Sequence, residues 1–113
     1  MAKLERTLMG NFDQVLEWLH DGILNASTTA SFEEGSEFTL NGTRCAMRMY
    51  ERYSAFGGNR VALCLTLIGD GSRLRLTAIT AGGSQAMFFK MNTLGEESFL
   101  DTLSAVVAQL EKG

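Results

Sequence analysis

From Val61 to Ala78, on either side of an Asp-Gly pair, every second residue is apolar: Val61, Leu63, Leu65 and Leu67, then Leu74, Leu76 and Ala78. Period two is that of a strand with one buried face, and two such runs joined by so short a polar link point to an antiparallel hairpin. A type I′ turn centred on Asp70-Gly71 needs positive φ at both positions, which glycine accepts and aspartate tolerates. It predicts Leu67 opposite Leu74, Leu65 opposite Leu76 and Leu63 opposite Ala78. Upstream, a loop over Ala55 to Asn59 puts Met49 against Leu65, Met47 against Leu67 and Tyr53 opposite Val61, turning Cys45, Glu51 and Tyr53 inward. Asn41-Gly42 is a second type I′ signal, folding Phe38 onto Cys45, Phe32 onto Glu51 and Ala30 onto Tyr53. A bulge or kink is expected at Glu34-Gly35-Ser36. A Gly82-Gly83 turn would add a strand with Met87 beside Ala78 and Phe89 beside Leu76.

Two helical stripes flank this meander. Asn11 followed by Gln14 approximates a capping box, and Phe12, Val15, Leu16, Leu19 and Ile23 follow at helical spacing. Thr93 with Glu96 is a second box, ahead of Phe99, Leu100, Leu103, Val106, Val107 and Leu110. Residues Lys3 to Met9 read as a first strand whose place in the sheet the pattern leaves open. A sheet with one apolar face and two one-sided helices predicts an α+β two-layer sandwich: an antiparallel meander of about five to six strands with both helices on one face.

The 113 residues, 45% hydrophobic and 20% charged, suit a single globular domain over residues 1–113. No apolar run is long enough to span a bilayer and the N-terminus lacks a signal-peptide pattern, so the expectation is a soluble, cytoplasmic protein without membrane contact. The net charge of −3 leaves no global basic footprint for nucleic acid. Cys45 and Cys64 are expected on opposite faces, against a disulfide, and neither makes a zinc-type spacing. The glycine-rich loops join strand to strand, whereas phosphate loops lead into a helix N-terminus. No catalytic, metal or cofactor motif stands out.

Strand, helix, meander, closing helix is an order that resembles a reduced helix-grip fold of the START-like kind, in topology alone. A closer resemblance, to a family of short bacterial proteins of unknown function, is carried by Arg44-Cys45-Ala46, by Tyr50-Glu51-Arg52-Tyr53-Ser54, by Phe56-Gly57-Gly58-Asn59-Arg60 and by the run from Gly82 to Lys90. It implies no particular activity.

Two surfaces are candidates for function. On the inner face the predicted register gathers Glu51, Tyr53, Thr80 and Gln85 at one end of the sheet, beside glycine-rich loops and the helix end carrying His20. Such a set could bind a small molecule, with Glu51 a candidate acid or base if desolvated; equally, Glu51 could escape to solvent and Tyr53 simply cap the core. On the outer face stand Arg44, Arg48, Arg52, Arg60, Arg73 and Arg75 with Tyr50, Cys64, Ile79 and Phe88. The arginines could hold an anion, but Glu33 and Glu37 on the neighbouring strand favour cross-strand ion pairs. The apolar residues among them suggest a homodimer interface through Tyr50, Arg48, Arg75, Ile79 and Phe88. The expected function is non-enzymatic ligand binding between sheet and helices, or a dimeric interaction module. An enzyme using Glu51 and His20 is the remaining reading.

Overall fold

The computed structural model describes residues 2–26, 28–53, 60–82, 99–101 and 103–109. Five strands, β1 (Ala2–Met9), β2 (Ser31–Leu40), β3 (Thr43–Tyr53), β4 (Arg60–Asp70) and β5 (Arg73–Gly82), accompany a helix α1 (Phe12–Asn25). A second helix, α2, comprises residues 99–101 and 103–109. The sheet is antiparallel throughout, in the order β1-β5-β4-β3-β2. It is an α+β fold: β2 to β5 form a meander, and β1 closes on β5.

The apolar runs of β4 and β5 lie fully buried under the helices, against Leu16, Leu19 and Ile23 of α1 and Phe99, Leu103 and Val107 of α2. Helix α1 begins as read: Asn11 is the N-cap, and its side chain accepts the Gln14 N–H at 3.0 Å. The helices meet where Gly22 faces Val106. A Cβ at Gly22 would lie 2.6 Å from a Val106 methyl, so the missing side chain sets how closely they approach. Trp18 Nε1 donates to the Val106 carbonyl at 3.1 Å across the same contact.

Strand pairing departs from the count in three places, and the place of the first strand, left open by the pattern, is settled. Asp70 pairs with Arg73, so the turn residues are Gly71 and Ser72, and of these only Gly71 has positive φ (62°). That pattern fits a II′ turn. Leu67 therefore faces Leu76 and Leu65 faces Ala78, a two-residue shift that leaves the buried face unchanged. The Asn41-Gly42 turn does have positive φ at both residues and places Phe38 opposite Cys45 as expected.

Between β3 and β4 the shift is one residue: Arg48 faces Leu65, Tyr50 faces Leu63 and Arg52 faces Val61. An odd shift inverts a strand. Ala46 and Tyr50 are buried beneath α1, whereas Cys45, Met47, Met49, Glu51 and Tyr53 look outward, Cys45 on the same face as Cys64. The bulge in β2 falls between Phe32 and Glu34, ahead of the expected Gly35. Lastly, β1 occupies the free edge of β5, with Leu4 opposite Ala78 and Arg6 opposite Leu76. The strand expected to set Met87 beside Ala78 and Phe89 beside Leu76 falls on residues 83–98, outside the described residues.

Candidate functional site

The inversion of β3 places three arginines on the helix-covered side of the sheet. Arg44, Arg48 and Arg52 recur every fourth residue, with Ala46 and Tyr50 between them. Each lies over a phenylalanine: Arg44 over Phe12 at 4.3 Å, Arg48 over Phe32 at 6.0 Å and Arg52 over Phe99 at 4.5 Å from the ring centroid. β3 lies next to β2, which is exposed along its whole length, so the long aliphatic stems cover apolar surface while the guanidinium groups reach toward water. Burial lowers the Arg52 guanidinium from its ordinary range.

Among the described residues, carboxylates meet Arg44 and Arg48. Asp13 forms a bidentate pair with Arg44, both bonds 2.9 Å, and the guanidinium holds its carboxyl below the ordinary carboxylate value. Glu37 bridges Arg44 at 3.6 Å and Arg48 at 3.5 Å. The expected cross-strand pairing with Glu37 is therefore present, on the inner face.

Asp13, Glu17 and His20 share one face of α1, at i, i+4 and i+7, and that face runs along β3. His20 Nδ1 lies 2.8 Å from the Tyr50 hydroxyl. Tyr50 has no exposed surface, and burial raises its phenol above the ordinary value; Arg48, by hydrogen bond and charge, opposes that rise, and Glu17 and Asp21 add to it. An arginine can only donate. Toward the Tyr50 hydroxyl it can therefore offer only N–H groups, and the phenol keeps its O–H and a further lone pair for His20 Nδ1.

Phe32 completes the group, its ring centroid 5.5 Å from His20 and 5.7 Å from Tyr50. The bulge makes this contact. With an unbroken ladder Phe32 would pair with Glu51 and face outward; the extra residue, Glu33, lets it pair with Tyr50 and face α1. Gly35 sits opposite Arg48, where a Cβ would meet Phe32 Cζ at 3.2 Å and Arg48 Cγ at 3.3 Å. Around these residues opens a cleft of about 470 Å³ whose walls include Glu17, His20, Phe32, Glu37 and Arg48, with Glu34 also bordering it.

The family model of DUF6054, a family of unknown function, matches residues 1–111. The chain belongs to this family. None of the curated proteins matches it. Membership in DUF6054 carries no activity with it, so the chemistry of the cleft rests on its own residues.

The residues expected to converge do so only in part. His20 borders the cleft, and its phenol partner is Tyr50, in place of Tyr53. Glu51 and Tyr53 sit on the opposite face beside Arg60, which pairs with Glu51 and lies 5.9 Å from the Tyr53 ring centroid. An acid–base pair of Glu51 with His20 would have to act through the sheet. Thr80 is inward and buried, facing Leu63 and Ala2 across the ladder. Gln85 lies outside the described residues. Of the expected interface residues, Arg75 and Ile79 are on the outer face, Tyr50 and Arg48 are on the inner one, and Phe88 is outside the described residues. Tyr50, Arg48, Phe32, Gly35 and Glu37 are the site residues that sequence reasoning missed. The available signal was the four-residue arginine spacing in β3.

Proposed function

We propose that this DUF6054 domain binds a small organic cation carrying a flat apolar group, in the cleft between α1 and the β2–β3 edge. The observation that carries this reading is an aromatic wall, Phe32 with His20, set among the carboxylates of Glu17, Glu34 and Glu37. The one guanidinium there, Arg48, is matched by Glu37. The remaining negative potential suits an ammonium or amidinium group, and the partly exposed Phe32 ring offers a face to a flat ligand. The His20–Tyr50 bond orients the wall.

Benzylammonium and benzoate, matched in shape and opposite in charge, test the proposal by amide and side-chain NMR titration. Benzylammonium is expected to shift His20, Phe32, Gly35 and Arg48 resonances saturably, and Gly35→Val, which fills the cleft, to abolish the response while the spectrum stays folded. Equal response to benzoate, or none to either probe, overturns the reading.

A further inference from the structure

The sheet face away from the helices is rich in exposed apolar side chains. Phe38, Met47, Met49, Ile68 and Ile79 are each between 37% and 51% exposed, with half-buried Cys45 and Cys64 among them. Scattered hydrophobes are ordinary on a monomer, but these are contiguous in the ladder. Phe38, Cys45 and Ile68 form one row, and Met49, Cys64 and Ile79 another.

The second row extends from edge to edge: Glu34 on β2, then Met49, Cys64, Ile79 and finally Lys3 on β1. It has an acid at one end, a base at the other and an apolar middle. Such a row is complementary to itself under a two-fold axis that lies in the interface and runs along the central strand. The rotation exchanges the two edges of the sheet while keeping each residue's height along the strands. Lys3 of one copy then meets Glu34 of the other, twice over, Met49 meets Ile79, and Cys64 lies on the axis. Within the chain Arg75 pairs with Glu5 at 3.0 Å and Arg60 with Glu51, and Lys3 also reaches Glu5 at 3.5 Å, from a side chain 61% exposed that can take a second carboxylate.

Pairing by the open sheet edges is the competing geometry. The β2 edge opposes it with Glu33, Glu34 and Glu37 and a bulge, and the β1 edge carries Lys3, Glu5 and Arg6. We infer that the outer sheet face is a homodimer interface in which two copies stack face to face, registered by reciprocal Lys3–Glu34 pairs. Five strands at about 4.8 Å spacing and some eight residues of about 3.3 Å give a footprint of roughly 600 Å² on each copy. Doubled, that exceeds the roughly 1,000 Å² expected of a specific interface. The stacking leaves the cleft under α1 open; Glu34 borders both surfaces, so Lys3→Glu and Ile79→Glu are the variants that read assembly apart from the cleft.

Sedimentation equilibrium of the full chain and of two charge-reversed variants, Lys3→Glu and Glu34→Lys, tests the arrangement. Wild type is expected to dimerise, and each variant alone, now bringing like charges together at both ends of the row, to dissociate about tenfold more readily or worse. Mixed in equal amounts, the two variants should form a heterodimer of near wild-type affinity, because one chain is acidic at both ends and the other basic at both. A local folding defect cannot produce that rescue. Ile79→Glu, outward on β5, is expected to give a folded monomer by circular dichroism. A monomeric wild type overturns the inference, as does a mixture no tighter than its components.

Discussion

Gly69→Ala isolates the contact that seats helix α1. Gly69 lies on the inner face of β4, and a Cβ there would stand 2.6 Å from Phe12 Cδ2 and 3.0 Å from Leu74 Cδ2. Leucine methyls can rotate aside. The Phe12 ring has little room to do so, because the Arg44 guanidinium lies over it at 4.3 Å, itself held by both oxygens of Asp13. Removing a strand glycine normally stabilises by about 0.5–1 kcal/mol. Overpacking a filled site costs about 1–3 kcal/mol. The second term wins, for a net loss of about 1 kcal/mol. With an unfolding entropy of about 2.1 cal/mol/K per residue, or roughly 240 cal/mol/K for this chain, that is a fall in Tm of about 4 °C. Scanning calorimetry and urea titration read it directly. Phe12→Leu in the same background should relieve the clash, so the double variant should lose less stability than the two single variants summed. A Tm that is unchanged or raised in Gly69→Ala, or strict additivity in the double variant, would refute the reasoning.

Two further perturbations probe the polar groups on the inner face. Burial raises the Tyr50 phenol above its unfolded value near 10.0, so its contribution to stability is complete below about pH 10 and is lost as pH rises through the folded value. Tyr50→Phe should flatten that alkaline limb in denaturant titrations and cost about 1 kcal/mol at neutral pH; an unchanged alkaline limb would sink the assignment. Asp13 has the opposite sign. Its carboxyl is held below the ordinary 3.8 by the Arg44 hydrogen bond, so its contribution is present above that value and is lost as pH falls. Asp13→Asn should therefore remove part of the acid-side decline in Tm, and the idea fails if the acid limbs of wild type and variant superimpose.

Much of the architecture was legible because β4, β5 and α1 each have one unambiguous apolar face. Even a two-residue error in the β4–β5 turn left Leu63, Leu65 and Leu67 buried, since strand faces repeat every second residue. In β3 polarity misleads. One parity offers Cys45, Met47 and Met49, and the other Arg44, Arg48 and Arg52 around Ala46 and Tyr50, so a rule that turns charge outward selects the wrong set. The arginines are tolerated inside because three phenylalanines from β2, α1 and α2 lie beneath them, with Asp13 and Glu37 neutralising two of them. That compensation is tertiary and has no local signature. The candidate site inherited the error: the phenol beside His20 is Tyr50, and Tyr53 lies on the other face.

The extra residue in β2 ties the two faces of the sheet to a single count. With Glu33 in place, Phe32 belongs to the aromatic wall under α1, and the outward face of this edge strand is left to Glu34, Ser36 and Phe38. Held in an unbroken ladder, the same residues would set Phe32 opposite Glu51 and pass it through to the other side, whereas deleting Glu33 would leave Phe32 opposite Tyr50, where the bulge already holds it. The bulge is thus the device by which an edge strand carries one residue more than its partner while both of its flanks keep their faces.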